Sequence, residues 1–100
     1  MIDIEVEDYD EMNTFIKEEK DLFFTNLILC IEKGWKEDEE VVGVAKFFIK
    51  DTGNTISISI EQDDWYETLH LALYHFEERE NYEYCIEINQ LIDKMYISGE

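Results

Sequence analysis

The sequence predicts an α+β domain: a short antiparallel sheet built on a hairpin over residues 44–61, packed on one face by a long N-terminal helix and a C-terminal antiparallel helix pair. Three observations lead there. Residues 55–60, Thr-Ile-Ser-Ile-Ser-Ile, alternate polar and apolar with the period of a half-buried strand. On both sides of that run, apolar residues recur at three-to-four spacing, as amphipathic helices require. One hundred residues, 45% hydrophobic with six Phe, six Tyr and two Trp, supply apolar material for one core and leave no room for a second. A single domain, 1–100, is expected.

In the hairpin, Asp51-Thr52-Gly53-Asn54 supplies the turn, because Gly53 takes a positive φ without steric cost. With Asp51 opposite Asn54, Ile49 faces Ile56, Phe47 faces Ile58 and Ala45 faces Ile60. That register gathers six apolar residues on one face and leaves Val44, Lys46, Phe48, Lys50, Thr55, Ser57 and Ser59 on a mostly wet one. Upstream, Ile2, Ile4 and Val6 alternate with Asp3, Glu5 and Glu7, which predicts a short, charge-protected edge strand. A helix follows, capped by Asp8 or Asp10, with Met12, Phe15, Ile16, Phe23, Leu27, Cys30 and Ile31 on its apolar face and Gly34 as its stop. The polar stretch Glu18-Glu19-Lys20-Asp21 permits a break at Asp21, but one long helix is the expectation.

Glu37, Asp38, Glu39 and Glu40 read as a solvated loop. After the hairpin, Asp64 and Glu67 have capping-box spacing, opening a helix with Trp65, Leu69, Ala72, Leu73 and Phe76 on one face and an end near Glu78. Arg79-Glu80-Asn81 links it to a last helix, capped by Asn81, carrying Tyr84, Cys85, Ile88, Leu91, Ile92 and Met95. So short a link makes the two helices antiparallel. Residues 98–100 are expected to fray.

Charge limits function more sharply than any motif does. Twenty-six acidic residues against eight basic ones leave a formal charge of -18. Such a surface repels nucleic acid and anionic membrane, and attracts basic proteins. Met1 is not followed by a basic region and an apolar core of the secretory kind, and no run is long enough to span a bilayer, so a cytoplasmic protein is expected. Cys30 and Cys85 fall on apolar helix faces and read as buried free thiols of a reducing compartment.

Chemical readings fail one by one. Asp51-Thr52-Gly53 matches the aspartic-protease triplet, but Lys50 precedes it and Asn54 follows it in a largely helical chain, so it reads as a turn. His70 and His75 stand about 140° apart around a helix and cannot share a metal; each is expected to pair with a carboxylate, Glu67 and Glu78 respectively. Four consecutive carboxylates at 37–40 lack the alternation and glycine bend of a calcium loop. There is no phosphate loop, zinc-spaced cysteine pair or nucleophile elbow. Cys30 has no basic neighbour to form a thiolate. No catalytic residue, metal or cofactor is therefore expected.

Residues 74–94, YHFEERENYEYCIEINQLIDK, are similar to the UVR helical hairpin of excision-repair and stress-response proteins in the acidic turn followed by Tyr-Glu. They depart from it at Ile88-Asn89, where that family continues with Arg-Asp. The likeness implies two packed helices. The whole chain, in size, acidity, α+β pattern and free thiols, resembles the small immunity proteins of bacterial contact-dependent growth inhibition and polymorphic toxin systems. That resemblance implies a cytoplasmic antidote made beside its toxin and bound to it one to one, covering the substrate groove of a basic toxin such as a nuclease.

Aromatics among acids mark the candidate interface, since a desolvated aromatic ringed by charge anchors tight complexes. The candidates are Trp35 with Glu37, Asp38, Glu39 and Glu40, and Tyr66 with Asp63 and Asp64; Trp65 reads as core. The alternative is a nucleic-acid mimic, a phage inhibitor of a restriction or CRISPR-type enzyme, using a row of Glu77, Glu78, Glu80, Glu83 and Glu87. A third reading is an adaptor domain whose acidity serves solubility.

Overall fold

The computed structural model describes residues 1–96, in the order β1 (Ile2–Val6), α1 (Tyr9–Glu18), α2 (Lys20–Lys36), β2 (Val41–Ile49), β3 (Asn54–Glu61), α3 (Gln62–Glu78) and α4 (Tyr82–Tyr96). The expected fraying at 98–100 lies outside the described residues. The fold is α+β, as the sequence predicts, with the helices packed on a three-stranded sheet of order β1-β2-β3.

The sheet is mixed, not antiparallel. β2 and β3 form the expected hairpin, but β1 pairs with β2 in parallel, with Ile4 opposite Phe47 and Val6 opposite Ile49. Alternation specifies which side chains share a face and is silent on strand direction. Direction comes from the connection: two helices carry the chain from the end of β1 back to the start of β2, and such a crossover delivers a parallel neighbour.

The hairpin register lies two residues from the expected one. Ile49 stands opposite Asn54, Phe47 opposite Ile56 and Ala45 opposite Ile58, leaving a four-residue loop, 50–53. Gly53 has φ 73° and its N–H donates to the carbonyl of Ile49 at 2.8 Å. An even shift keeps every side chain on its face, so the apolar pattern accepts both registers and the turn decides between them.

Val44, expected on the wet face, is wholly buried. A β-bulge between Gly43 and Ala45 leaves Val44 unpaired and advances the alternation by one residue. Val42, Val44, Ala45, Phe47 and Ile49 are all buried in consequence, while Gly43, Lys46 and Phe48 are exposed. The bulge is held from the helical layer: Nδ2 of buried Asn26 donates to the Val44 carbonyl at 2.6 Å, and Cys30 Sγ donates to Asn26 Oδ1 at 3.7 Å.

The expected single N-terminal helix is two helices, and they part at Glu19 (φ -107°, ψ 43°) rather than at Asp21. Backbone bonds from Glu19 to Phe15 and from Phe23 to Glu19, both 2.9 Å, run through the junction, so it is a sharp bend. Each helix serves its own apolar cluster. Met12, Phe15 and Ile16 of α1 pack with Val6, Ala45, Phe47 and Ile49, whereas Leu27, Ile28 and Ile31 of α2 join Val42, Val44, Trp65, Leu69, Phe76, Ile88 and Leu91. Asp8 caps α1, accepting from the Glu11 amide at 2.8 Å.

Gly34 does not stop α2, which runs on to Lys36. Its Cα lies against Val42 and the Trp65 indole, where a side chain would not fit. The stop is a Schellman motif four residues on, with Asp38 at φ 61°, its N–H donating to Trp35 O (3.3 Å) and that of Glu39 to Gly34 O (2.8 Å). α3 ends the same way, with Glu80 at φ 57° and the Asn81 amide on Phe76 O at 2.9 Å. The Asp64–Glu67 capping box does not form, because α3 begins at Gln62 and places Asp64 within its first turn. Asn81 caps α4 as expected, accepting from the Tyr84 amide at 3.3 Å. Phe76 and Tyr84 stack across the helix pair at 4.5 Å.

Candidate protein-binding site

Two acidic segments, more than twenty positions apart in the chain, meet at one end of the molecule. β2 starts beside the end of β3, with Val41 opposite Glu61, and the Gln62 amide donates to the Glu40 carbonyl at 2.8 Å. That bond ties the 37–40 loop to the first turn of α3. Glu40, Val41, Glu61, Gln62 and Asp63 line a shallow cleft there, with three carboxylates around a Val41 that is 50% exposed. Glu37, Asp38 and Glu39 are exposed beside it on the same short loop.

The loop's position adds to its potential. Glu37, Asp38, Glu39 and Glu40 directly follow the C-terminus of α2, where the helix dipole is itself negative and carboxylates are disfavoured. Asp63 and Asp64 sit in the first turn of α3, where they are favoured. The 37–40 carboxylates thus oppose local stability, and a cation that approaches them relieves that opposition.

The aromatic candidates divide. Tyr66 is 49% exposed and lies three positions beyond Asp63, on the same side of α3. Its ring stands edge-on to Tyr96 at 5.0 Å and against His70 at 4.5 Å. Burial, and then Tyr66, push the Tyr96 phenol up from its ordinary value. Trp35 is partly buried against the larger core cluster, and it is a wall of the core more than a free anchor. Trp65 is core, 1% exposed, with Nε1 donating to Ile60 O at 3.2 Å. Asp64 is exposed but turned about 100° around the helix from Asp63. Sequence reasoning missed Glu61 and Val41, because the expected register sets Glu61 opposite Val44; the two-residue shift and the bulge are what bring it to Val41.

The expected histidine pairs are replaced by others. His75 Nε2 lies 2.6 Å from Asp21 Oδ1, with its ring stacked on Phe24 at 4.9 Å, and Arg79 Nη2 lies 3.1 Å from Asp21 Oδ2. Position 75 falls on the side of α3 that faces α2, so its partner comes from α2 and not from Glu78. Among the described residues no group of three His, Cys, Asp or Glu is placed to hold a metal ion. Cys30 and Cys85 are buried and free, and burial, then Glu77, pushes the Cys85 thiol up, away from thiolate chemistry. Asp51-Thr52-Gly53 is in the hairpin turn. Glu77, Glu78, Glu80, Glu83 and Glu87 are all exposed on the α3–α4 pair.

Fold and surface together define a small α+β domain with an acidic, aromatic-flanked end. Compared with protein-family models, with curated proteins and with solved structures, the chain matches none. Among the described residues no helix is long and apolar enough to cross a membrane.

Proposed function

We propose that this chain is an acidic immunity protein that acts in the cytoplasm, binding a basic cognate toxin domain of the nuclease kind one to one and covering its substrate groove. The observation that carries this reading is the meeting of the 37–40 loop with Glu61 and Asp63 through the Gln62–Glu40 bond, with the 37–40 carboxylates at the α2 C-terminus, where they cost stability. A nuclease groove is cationic because it holds phosphates, and clustered carboxylates offer it a competing set of anions. Exposed Tyr66 beside Asp63 supplies amphipathic contact area once the charges have steered the encounter. In this reading the protein carries no catalysis, takes no cofactor and contacts neither nucleic acid nor membrane.

The test begins with affinity capture of the partner from the native cell, followed by binding kinetics. Replacing Glu37, Asp38, Glu39 and Glu40 together by lysine should slow association by about tenfold or more, with a smaller change in dissociation, and should flatten the salt dependence. If both rates match wild type, the loop is solvated surface and the reading fails. A second reading rests on the exposed glutamate row of the α3–α4 pair, which suits a nucleic-acid mimic. Capture of a restriction or CRISPR-type enzyme, with binding lost on reversal of Glu77, Glu83 and Glu87, would establish it instead.

A further inference from the structure

The sheet has two edges, and they are built differently. β1 carries Asp3 and Glu5, followed by Glu7, with Lys50 bridging Glu5 at 3.6 Å and Glu7 at 3.4 Å. Charges of this kind discourage another strand from pairing. β3 has none of these guards. From Asn54 to Ile60 it carries no charge and no proline, in a chain that is 34% charged, and the bulge lies on β2. Among the described residues its outer edge pairs with nothing, so every second residue presents an unpaired N–H and C=O.

The core is also left open along this strand. Val42, Ala45 and Phe47 of β2 are buried, while their partners Ile60, Ile58 and Ile56 are only partly so. A strand added alongside β3 would cover these three isoleucines from the open side.

We propose that β3 is a self-association edge, on which two copies of this chain pair antiparallel into a continuous six-stranded sheet. Charge selects the occupant. A cationic partner is drawn to the acidic end and finds no carboxylate on β3 before Glu61, whereas a second copy meets an equally neutral strand. A two-fold axis normal to the sheet allows registers centred on Ser57 or on Ile58. Centred on Ser57, Ile56 faces Ile58 and Glu61 faces Gly53; centred on Ile58, Ile56 faces Ile60 and Glu61 faces Thr55. Neither register opposes two carboxylates, and both extend the isoleucine row across the seam. Antiparallel pairing also points the two acidic ends away from each other, so the two clefts lie at opposite ends of the seam.

Each copy carries a formal charge of -18, so the copies repel at long range and salt screens that repulsion. Self-association should therefore strengthen with salt, opposite to the behaviour proposed for the acidic end, which lets the two ideas fail separately. Sedimentation of the purified chain across the micromolar range, at low and at high salt, should show the mass rising from 12.0 kDa toward twice that value at high salt. Ser57→Lys with Ser59→Lys places lysines opposite each other in either register and should hold the chain monomeric. Asp3→Lys, on the far edge, changes the net charge by the same two units and should leave the dimer intact. Hydrogen exchange on wild type, which needs no variant to fold, should show the amides of residues 54–61 gaining protection as concentration rises. A wild-type chain that stays monomeric at high salt overturns the proposal and leaves the edge to a strand of another protein. A dimer that survives the paired lysines, or is lost in Asp3→Lys, overturns it too.

Discussion

Replacing Gly34 with alanine probes the closest approach between helix and sheet. A Cβ at this position would overlap Val42 Cγ1 outright and touch the Trp65 ring at 3.4 Å. Neither neighbour can step aside. Val42 is 4% exposed and stiff at χ1, and Trp65 is 1% exposed with its indole N–H held by Ile60. Relief must come from moving α2 off the sheet, which loosens Leu27, Ile28 and Ile31 as well. Forcing an extra carbon into a packed core costs about 1–3 kcal/mol. The gain in helix propensity from glycine to alanine offsets about 1 kcal/mol of that. Because the first contact is with a rigid side chain, the upper half of the range applies and the net loss should be about 1–2 kcal/mol. In a domain of this size that lowers Tm by roughly 5–15 °C. Urea unfolding followed by tryptophan fluorescence measures it directly. Combining Gly34→Ala with Val42→Ala removes the clashing methyl, so the double variant should be more stable than the two losses summed, by about 1 kcal/mol. A Gly34→Ala midpoint at or above wild type, or strict additivity in the cycle, would refute the argument.

The same unfolding assay addresses three further sites. Asn26→Ala strips the donor from the Val44 carbonyl at the bulge and should cost about 1–3 kcal/mol; a loss within error would mean the bulge needs no such support. Glu80→Gly removes a Cβ from a left-handed position and should raise stability by about 1 kcal/mol, whereas a lowered midpoint would show that the carboxylate has a contact of its own. Asp21 is held below its ordinary value of 3.8 first by the His75 hydrogen bond and then by the Arg79 charge. A folded-state value below the unfolded one stabilises the fold above the unfolded value, and the benefit disappears as pH falls through the folded value. The pair is solvent-screened, so the benefit stays below about 1 kcal/mol. Wild type and Asp21→Asn should therefore differ at neutral pH and converge in acid below the carboxylate range, and a gap independent of pH would exclude this linkage.

Part of the candidate site was legible from residue order alone. Asp63, Asp64 and the 37–40 run are exposed because nothing in their pattern could bury them, and Trp65 is core because it shares a helical face with Leu69, Ala72 and Phe76. That the two acidic segments share one end was not legible. It depends on the parallel crossover, on Val41 pairing with Glu61 and on one backbone bond from Gln62 to Glu40. His75 went to Asp21 for a similar reason: local spacing offered Glu78, while the packing of α3 on α2 offered a carboxylate fifty-four positions away.

Residue order alone determined the α+β class, the hairpin, the helical faces and the excess of negative charge, because each follows from periodicity or composition over a few neighbouring residues. Tertiary structure decided the parallel direction of β1, the two-residue register, the bulge at Val44 and the role of Gly34. Those features depend on how the elements are connected and on what lies across the core from each residue. An even register shift or a reversed edge strand leaves the local apolar pattern unchanged, so the turn, the crossover and the contacts between layers choose among such alternatives.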